Sequence, residues 1–262
     1  MTEIRKTLQI FKARWPEVTL IIGLNVLSVI ANKLLLTSQA KSTPFLGLIN
    51  GSFAITLIII ITLLTIGFQR TVCLEGQKQQ SPAVLLRTGS LFFWRIAGFG
   101  LIYLPVLFIL VWLNFLVIKL FLSIETGFIE TTKANPFIFQ LCFTIAYLIL
   151  IKPLLLIGSL IIVLDCRISD SFKLLKQYKL LNAKELVLLF FISLALKLVS
   201  AFLPSLKSAT TLSQYSFIIT RYIVQHFIGL MIAVMAVRFV ASRNLVYDDS
   251  LKSFDSKALL KP

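Results

Sequence analysis

The chain is poor in the residues on which most enzymes and metal proteins depend. Of its 262 residues, 11 are Asp or Glu and one is His. No carboxylate lies inside a long apolar run, so paired acid–base catalysis has few candidate residues. Cys73, Cys142 and Cys166 lack the spacing of a zinc site or a disulfide framework. We therefore expect no catalytic residue, no metal site and no cofactor.

Motifs for nucleotide binding and hydrolysis are also missing. The sequence contains no G-x-x-x-x-G-K-[ST], no G-x-S-x-G and no H-E-x-x-H. The net charge of +15 is compatible with nucleic acid, but the basic residues flank apolar runs and form no folded recognition motif. Lipid is the better explanation of this charge, and no nucleic-acid partner is expected.

Apolar residues are abundant and gathered in blocks. They make up 58% of the chain, and charged residues only 14%, where a soluble domain carries about 25%. Several blocks reach the roughly 18 apolar residues of a transmembrane helix. The sequence therefore predicts an all-α polytopic membrane protein with six transmembrane helices and basic amphipathic interfacial helices on the cytoplasmic side. The predicted spans are about 18–36, 46–68, 96–122, 137–164, 186–203 and 215–240.

These spans are expected to form one integral membrane domain over residues 1–262, without a soluble domain. The basic N-terminal arm leads into a full-length span with no small-residue cleavage site, so a cleaved signal peptide is not expected. The fourth span is longer than a bilayer core of about 30 Å requires. Pro153 lies in its middle and removes one backbone donor, which predicts a kink there.

The basic residues are unevenly distributed between the two sides of the predicted membrane. Most of the 26 Lys and Arg residues fall in the N-terminal arm, the connections after spans two and four, and the C-terminal tail. These segments share one side, which the positive-inside rule makes cytoplasmic. The sequence thus predicts a multi-pass membrane protein with both termini in the cytoplasm. The opposite side carries five basic residues: Lys33, Lys41, Lys119, Lys133 and Lys207.

Two basic segments have the pattern of interfacial helices. In the connection 165–185, Phe172, Leu175 and Tyr178, with Leu174 and Leu181 alongside, give one apolar face. In the N-terminal arm, Ile4, Leu8, Phe11 and Trp15 recur at the same spacing. Such helices lie on a membrane with their apolar side down and their cations near anionic headgroups. The predicted partner is a bilayer with anionic lipids, contacted by Lys173, Lys176, Lys179, Arg87 and Arg95.

The connections after spans two and four resemble each other. Leu85-Leu86-Arg87 corresponds to Leu174-Leu175-Lys176 at a constant offset, and Glu75 and Asp165 close the preceding spans with one residue of slippage. The alternative is that Leu and Lys fill any cytoplasmic connection. The observation predicts a weak internal repeat over about 46–122 and 137–205.

The same segments carry a resemblance to a known family. The run SLIIVLDCRISDSFKLLKQYKLLNAKELVLLFFISLALKLVSAF resembles the second half of YciC-type bacterial inner-membrane proteins, and TIGFQRTVCLEGQKQQSPAVLLRTGSLFFWR resembles the corresponding first-half connection. A similar arrangement occurs in the membrane domain of some glycerophosphodiester phosphodiesterases. The resemblance covers spans two to six and implies a six-helix inner-membrane fold of undefined biochemical activity. No phosphodiesterase domain follows here, so that activity is not implied.

Ionisable residues within predicted spans are functional candidates, because charge is costly in lipid. Lys152 lies in span four, Lys197 in span five, and Arg221 and His226 in span six; Gln225 shares a helix face with Arg221. Two interpretations stay open. Long cationic side chains reach water or bond to carbonyls and amides, or Lys152, Lys197, Arg221 and Gln225 line a cavity for an anionic lipid or solute.

The leading functional hypothesis is a non-enzymatic inner-membrane protein that acts in envelope or lipid-related organisation by binding lipid or a membrane-protein partner. The alternative is a carrier or flippase-like protein for an anionic lipid or solute, which would use the intramembrane cations. A proton relay at His226 is less favoured, since no carboxylate accompanies it within a span.

Overall fold

The computed structural model describes residues 2–38, 44–122, 127–134, 136–180 and 212–243. Every regular element in these ranges is a helix, as the sequence predicts. The helices, in chain order, are α1 Thr2–Ala13, α2 Trp15–Ser38, α3 Pro44–Glu75, α4 Pro82–Leu122, α5 Phe128–Ala134, α6 Pro136–Leu164, α7 Ile168–Gln177 and α8 Leu212–Ser242.

Three of these helices are long and apolar enough to cross a membrane by length and composition, and up to five if each of two bent pairs counts as one span. The three are in α3, α4 and α8; the bent pairs are α1 with α2, and the two halves of α6. The all-helical prediction is confirmed for the described residues, and these helices are compatible with the predicted multi-span membrane protein. The predicted fifth span, 186–203, lies outside the described residues.

Helix α4 differs from the sequence prediction at its start. Ser81 caps it by accepting a hydrogen bond from the Val84 N–H to its Oγ at 3.4 Å, and Pro82 occupies the first turn, where its missing N–H costs nothing. From there the helix runs without a break to Leu122. The predicted separate interfacial helix at this connection is therefore continuous with the next apolar span. No residue with a helix-ending conformation lies between them, and even Pro105 is accommodated within the helix.

The predicted kink in α6 is confirmed. The axis bends by 42° between Leu141–Ile151 and Pro153–Leu164. Proline removes the N–H that would close the turn and its ring crowds the preceding carbonyl, so the axis must deflect.

Helices α3 and α6 end in the same way. Gly76 follows α3 with a φ of 61°, and Asp165 follows α6 with a φ of 54°. Both values lie in the left-handed region, which glycine adopts freely and aspartate tolerates better than most residues. The alignment that pairs Leu85 with Leu174 also pairs Gly76 with Asp165, without the slippage that the Glu75 match required. The internal repeat stays a prediction, but this backbone feature agrees with it.

The chain divides into two compact units. The first comprises residues 1–94, 162–166 and 204–262, and the second comprises 95–161 and 167–203. In the first unit, α2 packs against α3 and α8, and α1 packs against α8. Phe11 of α1 is central there, because its ring meets Phe68 edge-on at 6.0 Å and Phe227 at 5.3 Å between centroids. The single six-span domain over residues 1–262 stays a prediction.

The core of the second unit joins α4 to α6. Its buried side chains are apolar, and the ring of Phe115 packs edge-on against Phe128 of α5 at 4.9 Å between centroids. Asn114 donates from its side-chain amide to the Cys142 carbonyl at 3.3 Å. The core residues are Leu107, Val111, Phe115, Ile138, Cys142 and Ala146.

The outer surface of α4 is strongly apolar. Leu101, Phe108, Leu120 and Phe121 are each more than 60% exposed, a pattern that would be unstable in water over so long a stretch. A lipid environment stabilises such a surface, which fits the composition of the chain.

Candidate functional site

Helices α1 and α2 meet at a near right angle. The bend between Ile4–Ala13 and Trp15–Ala31 is 91°. Pro16 stands in the first turn of α2, where a proline is tolerated because its missing N–H would have no partner within the helix. Glu17 follows in the same turn, where a carboxylate suits the positive end of the helix dipole. The sequence here therefore encodes a short amphipathic helix turned across the start of a long apolar one.

Arg14, at the corner between the two helices, is fully buried. Its Nε donates to the two carboxylate oxygens of Glu17 at 3.1 and 3.0 Å, and its Nη2 also pairs with Glu17. Nη2 donates further to Thr71 Oγ1 of α3 at 2.7 Å. The guanidinium lies over the Phe68 ring, 4.7 Å from the centroid. We call Arg14, Glu17, Thr71 and Gln80 the Arg14 cluster.

The Arg14 cluster also ties down the connection between α3 and α4. The backbone N–H of Gln80 donates to Glu17 Oε1 at 2.6 Å. The neighbouring Gln79 donates from its side-chain amide to the Ala13 carbonyl at 2.8 Å, at the end of α1. The buried ion pair thus fixes the α1–α2 corner to the α3–α4 connection, over more than 60 residues of sequence.

Arg70, one turn before the end of α3, is also buried. Its Nη1 donates to the carbonyl oxygens of Ile162 and Val163, both at 2.6 Å. These carbonyls belong to the last turn of α6, the part of a helix whose carbonyls lack the N–H partners of a continuing helix. The guanidinium lies 5.3 Å from the Phe92 ring centroid. Arg70 therefore caps the end of α6 and holds it against α3 and the start of α4.

Two glycines let α3 and α4 approach to backbone contact. A Cβ on Gly67 would lie 1.9 Å from the Leu85 carbonyl oxygen, and a Cβ on Gly89 would lie 1.9 Å from the Leu63 carbonyl oxygen. The two contacts mirror each other across the antiparallel pair. The carbonyl of one helix fills the space that a side chain would occupy on the other.

The apolar face that spacing predicts for α1 is only partly buried in the protein. Thr7, Ile10 and Phe11 are buried, while Leu8 is 44% and Trp15 55% exposed. The helix packs against the rest of the first unit with a face that includes a hydroxyl. Part of the predicted apolar face therefore stays exposed, and the cations Arg5, Lys6 and Lys12 are exposed on the same helix.

The predicted apolar face of helix α7 is divided in the same way. Ser171, Leu174 and Leu175 form its buried face, whereas Phe172 and Tyr178 of the predicted apolar face are 45% and 37% exposed. Within the second unit, Phe172 still contacts Phe99 of α4, at 6.3 Å between ring centroids. The predicted lipid contacts Lys173, Lys176 and Lys179 are all exposed.

The two remaining predicted lipid contacts lie on α4. Arg87 is exposed and Arg95 is half-buried. Both therefore have side-chain surface available, although they project from a continuous long helix rather than from a separate interfacial one.

The predicted intramembrane anion site is described only in part. Arg221 and Gln225 are half-buried one turn apart on α8, and the Arg221 guanidinium lies 5.8 Å from the Tyr222 ring centroid. Lys152 lies on α6 beside the kink, but the structure does not describe its side chain, and Lys197 lies outside the described residues. The grouping of these four residues stays a prediction.

Sequence reasoning missed the Arg14 cluster and the Arg70 cap. Both arginines were counted with the solvent-facing cations that set orientation. One local signal was available for Arg14, since Glu17 follows three residues later at the helical spacing of an ion pair. No local signal pointed to Arg70, because its acceptors lie about 90 residues away.

Comparison with known proteins adds no relative. The chain matches no family model, no curated protein and no solved structure. The resemblance to YciC-type proteins stays a prediction.

Proposed function

We propose that this chain is a multi-pass protein of a bacterial inner membrane that has no catalytic activity of its own. It acts in envelope or lipid-related organisation by binding anionic lipid, and through that surface or another it binds a membrane-protein partner. Both termini lie in the cytoplasm, and the fold is that of a six-span YciC-type protein.

One observation carries the lipid part of this proposal. Helix α1 turns 91° from α2 and exposes Leu8 beside Arg5 and Lys12. If α2 crosses the bilayer, a helix at a right angle to it runs along the membrane surface. There an exposed apolar residue meets acyl chains, and cations next to it meet phosphates. The Arg14 cluster supports the geometry, because its buried ion pair holds the corner in a fixed conformation.

The test is a lipid and protein inventory of the purified chain. After gentle extraction, mass spectrometry of the bound lipids should find anionic phospholipids enriched over their share of the membrane. Retention of lipid in membrane proportions would contradict the lipid part. A tag at the C-terminus should be reachable from the cytoplasm only, and labelling from the periplasm would contradict the orientation.

The half-burial of Arg221 and Gln225 favours a second candidate, a carrier or flippase-like protein for an anionic lipid or solute. Here Lys152, Lys197 and Arg221 would provide the cationic lining. Replacing Lys197 and Arg221 by Gln or Leu should then reduce the amount of bound native lipid. If these variants retain as much bound lipid as the unsubstituted chain, while replacement of surface lysines still removes anionic lipid, the carrier is contradicted and the first candidate is supported.

A further inference from the structure

Helices α1 and α7 have the same arrangement of residue types and the same pattern of burial. When Ile4 is aligned with Ile168, a hydroxyl, two large apolar residues and a lysine coincide in register. The hydroxyls and the two apolar residues after them are buried in both helices, and the lysines are exposed in both. The matching pairs are Thr7 and Ser171, Ile10 and Leu174, Phe11 and Leu175, and Lys12 and Lys176.

The exposed apolar residue also coincides. Leu8 is 44% exposed and Phe172 is 45% exposed, although each is large and apolar and each adjoins the buried face. A water-facing position would favour a polar residue at both sites. The shared exposure indicates a shared apolar environment outside the protein.

Helix geometry places the shared lysine beside this exposed residue. At about 100° per residue, four positions return to within about 40° of the start. Lys12 therefore lies about 40° beyond Leu8, and Lys176 about 40° beyond Phe172, in both cases further from the buried face. Each helix thus presents, in angular order, a protein-facing side, an apolar exposed residue and then a lysine.

The opposite flank of each helix is charged. The aligned residues there are Lys6 and Asp170, and neither is apolar. An in-plane helix docked on a membrane bundle has one flank toward lipid and one toward water. The apolar flank, with Leu8 or Phe172, is the lipid side, so the adjacent lysine falls at the depth of the headgroup phosphates.

We propose that α1 and α7 are two copies of one lipid-binding helix, in which Leu8 and Phe172 enter the acyl boundary and Lys12 and Lys176 each bind the phosphate of an anionic lipid. This rests on the proposed function and names its ligand and contact residues. Lysine is a compact point charge on a flexible stem, which suits an unspecialised phosphate contact at a membrane surface.

The start of α4 is an incomplete version of the same helix. Leu85 is buried and Arg87 is exposed, as at the aligned positions of α1 and α7. Ala83 stands where Leu8 and Phe172 lie, so the apolar anchor is missing. Arg87 therefore serves as a natural comparison, and its replacement should weaken lipid preference less than replacement of Lys12 or Lys176.

The test measures lipid preference next to each helix with the full chain in bilayers. With Trp94→Phe and Trp112→Phe, Trp15 is the single tryptophan and reports on α1. Adding W15F and Tyr178→Trp moves the reporter to α7. Quenching by brominated phosphatidylglycerol, relative to brominated phosphatidylcholine, gives the relative affinity of the adjacent sites for anionic lipid.

Lys12→Gln should lower the preference at the α1 reporter about fivefold, and Lys176→Gln should do the same at the α7 reporter. The controls Lys6→Gln and Lys173→Gln remove the same charge from the same helices at other angular positions. They should change the preference less than twofold. Lys173 Nζ also lies 3.5 Å from Asp170 Oδ1, so that carboxylate already offsets part of the lysine's charge. Lys12→Arg and Lys176→Arg should retain the preference.

Three results would overturn the proposal. If the controls lose as much anionic-lipid preference as Lys12→Gln and Lys176→Gln, the helices attract anionic lipid through their general surface charge and not through a defined contact. No loss in Lys12→Gln and Lys176→Gln, with a clear anionic preference in the unsubstituted chain, would remove this inference and leave the proposed function standing. Absence of any anionic preference in the unsubstituted chain would remove both.

Discussion

Glu17→Leu tests the Arg14 cluster most sharply. Arg14 is fully buried and Glu17 is 4% exposed, so the substitution leaves a guanidinium in an apolar environment without its carboxylate. Loss of one partner from a buried ion pair costs about 3–5 kcal/mol of the free energy of unfolding. The backbone N–H of Gln80 loses its acceptor in the same variant, which adds to the cost and places the expected loss in the upper part of this range.

The loss can be converted into a shift of the unfolding midpoint. A change of 1 kcal/mol corresponds to roughly 2–4 °C for a chain of this order of size, so Glu17→Leu should lower the midpoint by roughly 6–20 °C. Thermal unfolding in detergent, followed by tryptophan fluorescence, measures it. Glu130→Leu is the control, because Glu130 is exposed on α5 and should shift the midpoint by no more than about 1–2 °C.

The double variant Arg14→Met, Glu17→Leu separates pairing from packing. Arg14 Nη1 has no hydrogen-bond partner among the described residues, so the ion pair is incompletely satisfied. Replacing both charges by apolar residues should then recover most of the loss, because buried pairs are often no more stable than apolar substitutes. An unchanged midpoint in Glu17→Leu, or a double variant as unstable as the sum of the two single ones, would refute the reasoning.

Three further predictions follow from the same contacts. Gly67→Ala and Gly89→Ala should each lower the free energy of unfolding by about 1–3 kcal/mol, because a carbonyl of the facing helix occupies the Cβ position. Gly100→Ala, with open space around it, should raise the free energy of unfolding by about 0.5–1 kcal/mol. Thermal unfolding compares the three variants, and changes of the same sign in all three would count against the backbone contact. Arg70→Gln should lower the free energy of unfolding by about 1.5–3 kcal/mol, because the charged hydrogen bonds to α6 are lost. Backbone hydrogen exchange at the end of α6 should become faster, and unchanged exchange there would contradict the cap. With Trp94→Phe and Trp112→Phe leaving Trp15 as the single tryptophan, its fluorescence should be quenched by brominated lipid, since its side chain is 55% exposed at the α1–α2 corner. Insensitivity to lipid quenchers would contradict an interfacial corner.

The parts of the fold that sequence predicts are those set by the solvent. Lipid leaves no water for backbone groups, so long apolar runs must form helices, and α2, α3, α4, α6 and α8 coincide with predicted spans. The kink at Pro153 was predictable because proline removes a hydrogen-bond donor from its own helix.

The faces of the short helices were not predictable by the same reasoning. Apolar spacing in α1 and α7 selects every residue that avoids water, but part of such a face packs on protein and part is free for lipid. Leu8 and Phe172 belong to the second kind and Phe11 and Leu175 to the first, which hydrophobicity alone does not distinguish. Buried hydroxyls, such as that of Ser171, lie outside the apolar pattern altogether.

The buried cations were missed for a related reason. Counting charges treats every arginine outside a span as a surface cation, which holds for Arg87 and fails for Arg14 and Arg70. Arg14 donates to Thr71, and Arg70 donates to carbonyls at the end of α6. Both acceptors lie far from their arginine in sequence. Only the packing of the helices brings them together.

The depth of α1 and α7 in a bilayer tests the central claim most directly. In a chain whose Trp15, Trp94 and Trp112 are replaced by Phe, single tryptophans are introduced at positions 8, 172 and 108 by Leu8→Trp, Phe172→Trp and Phe108→Trp. The quenching of each is then compared between lipids brominated near the headgroup and lipids brominated near the chain end. We expect lipids brominated near the headgroup to quench the tryptophans at positions 8 and 172 most strongly. Lipids brominated near the chain end should quench most strongly the tryptophan at position 108, on the exposed surface of α4. Quenching of positions 8 and 172 by aqueous iodide alone, with no response to either lipid, would contradict it.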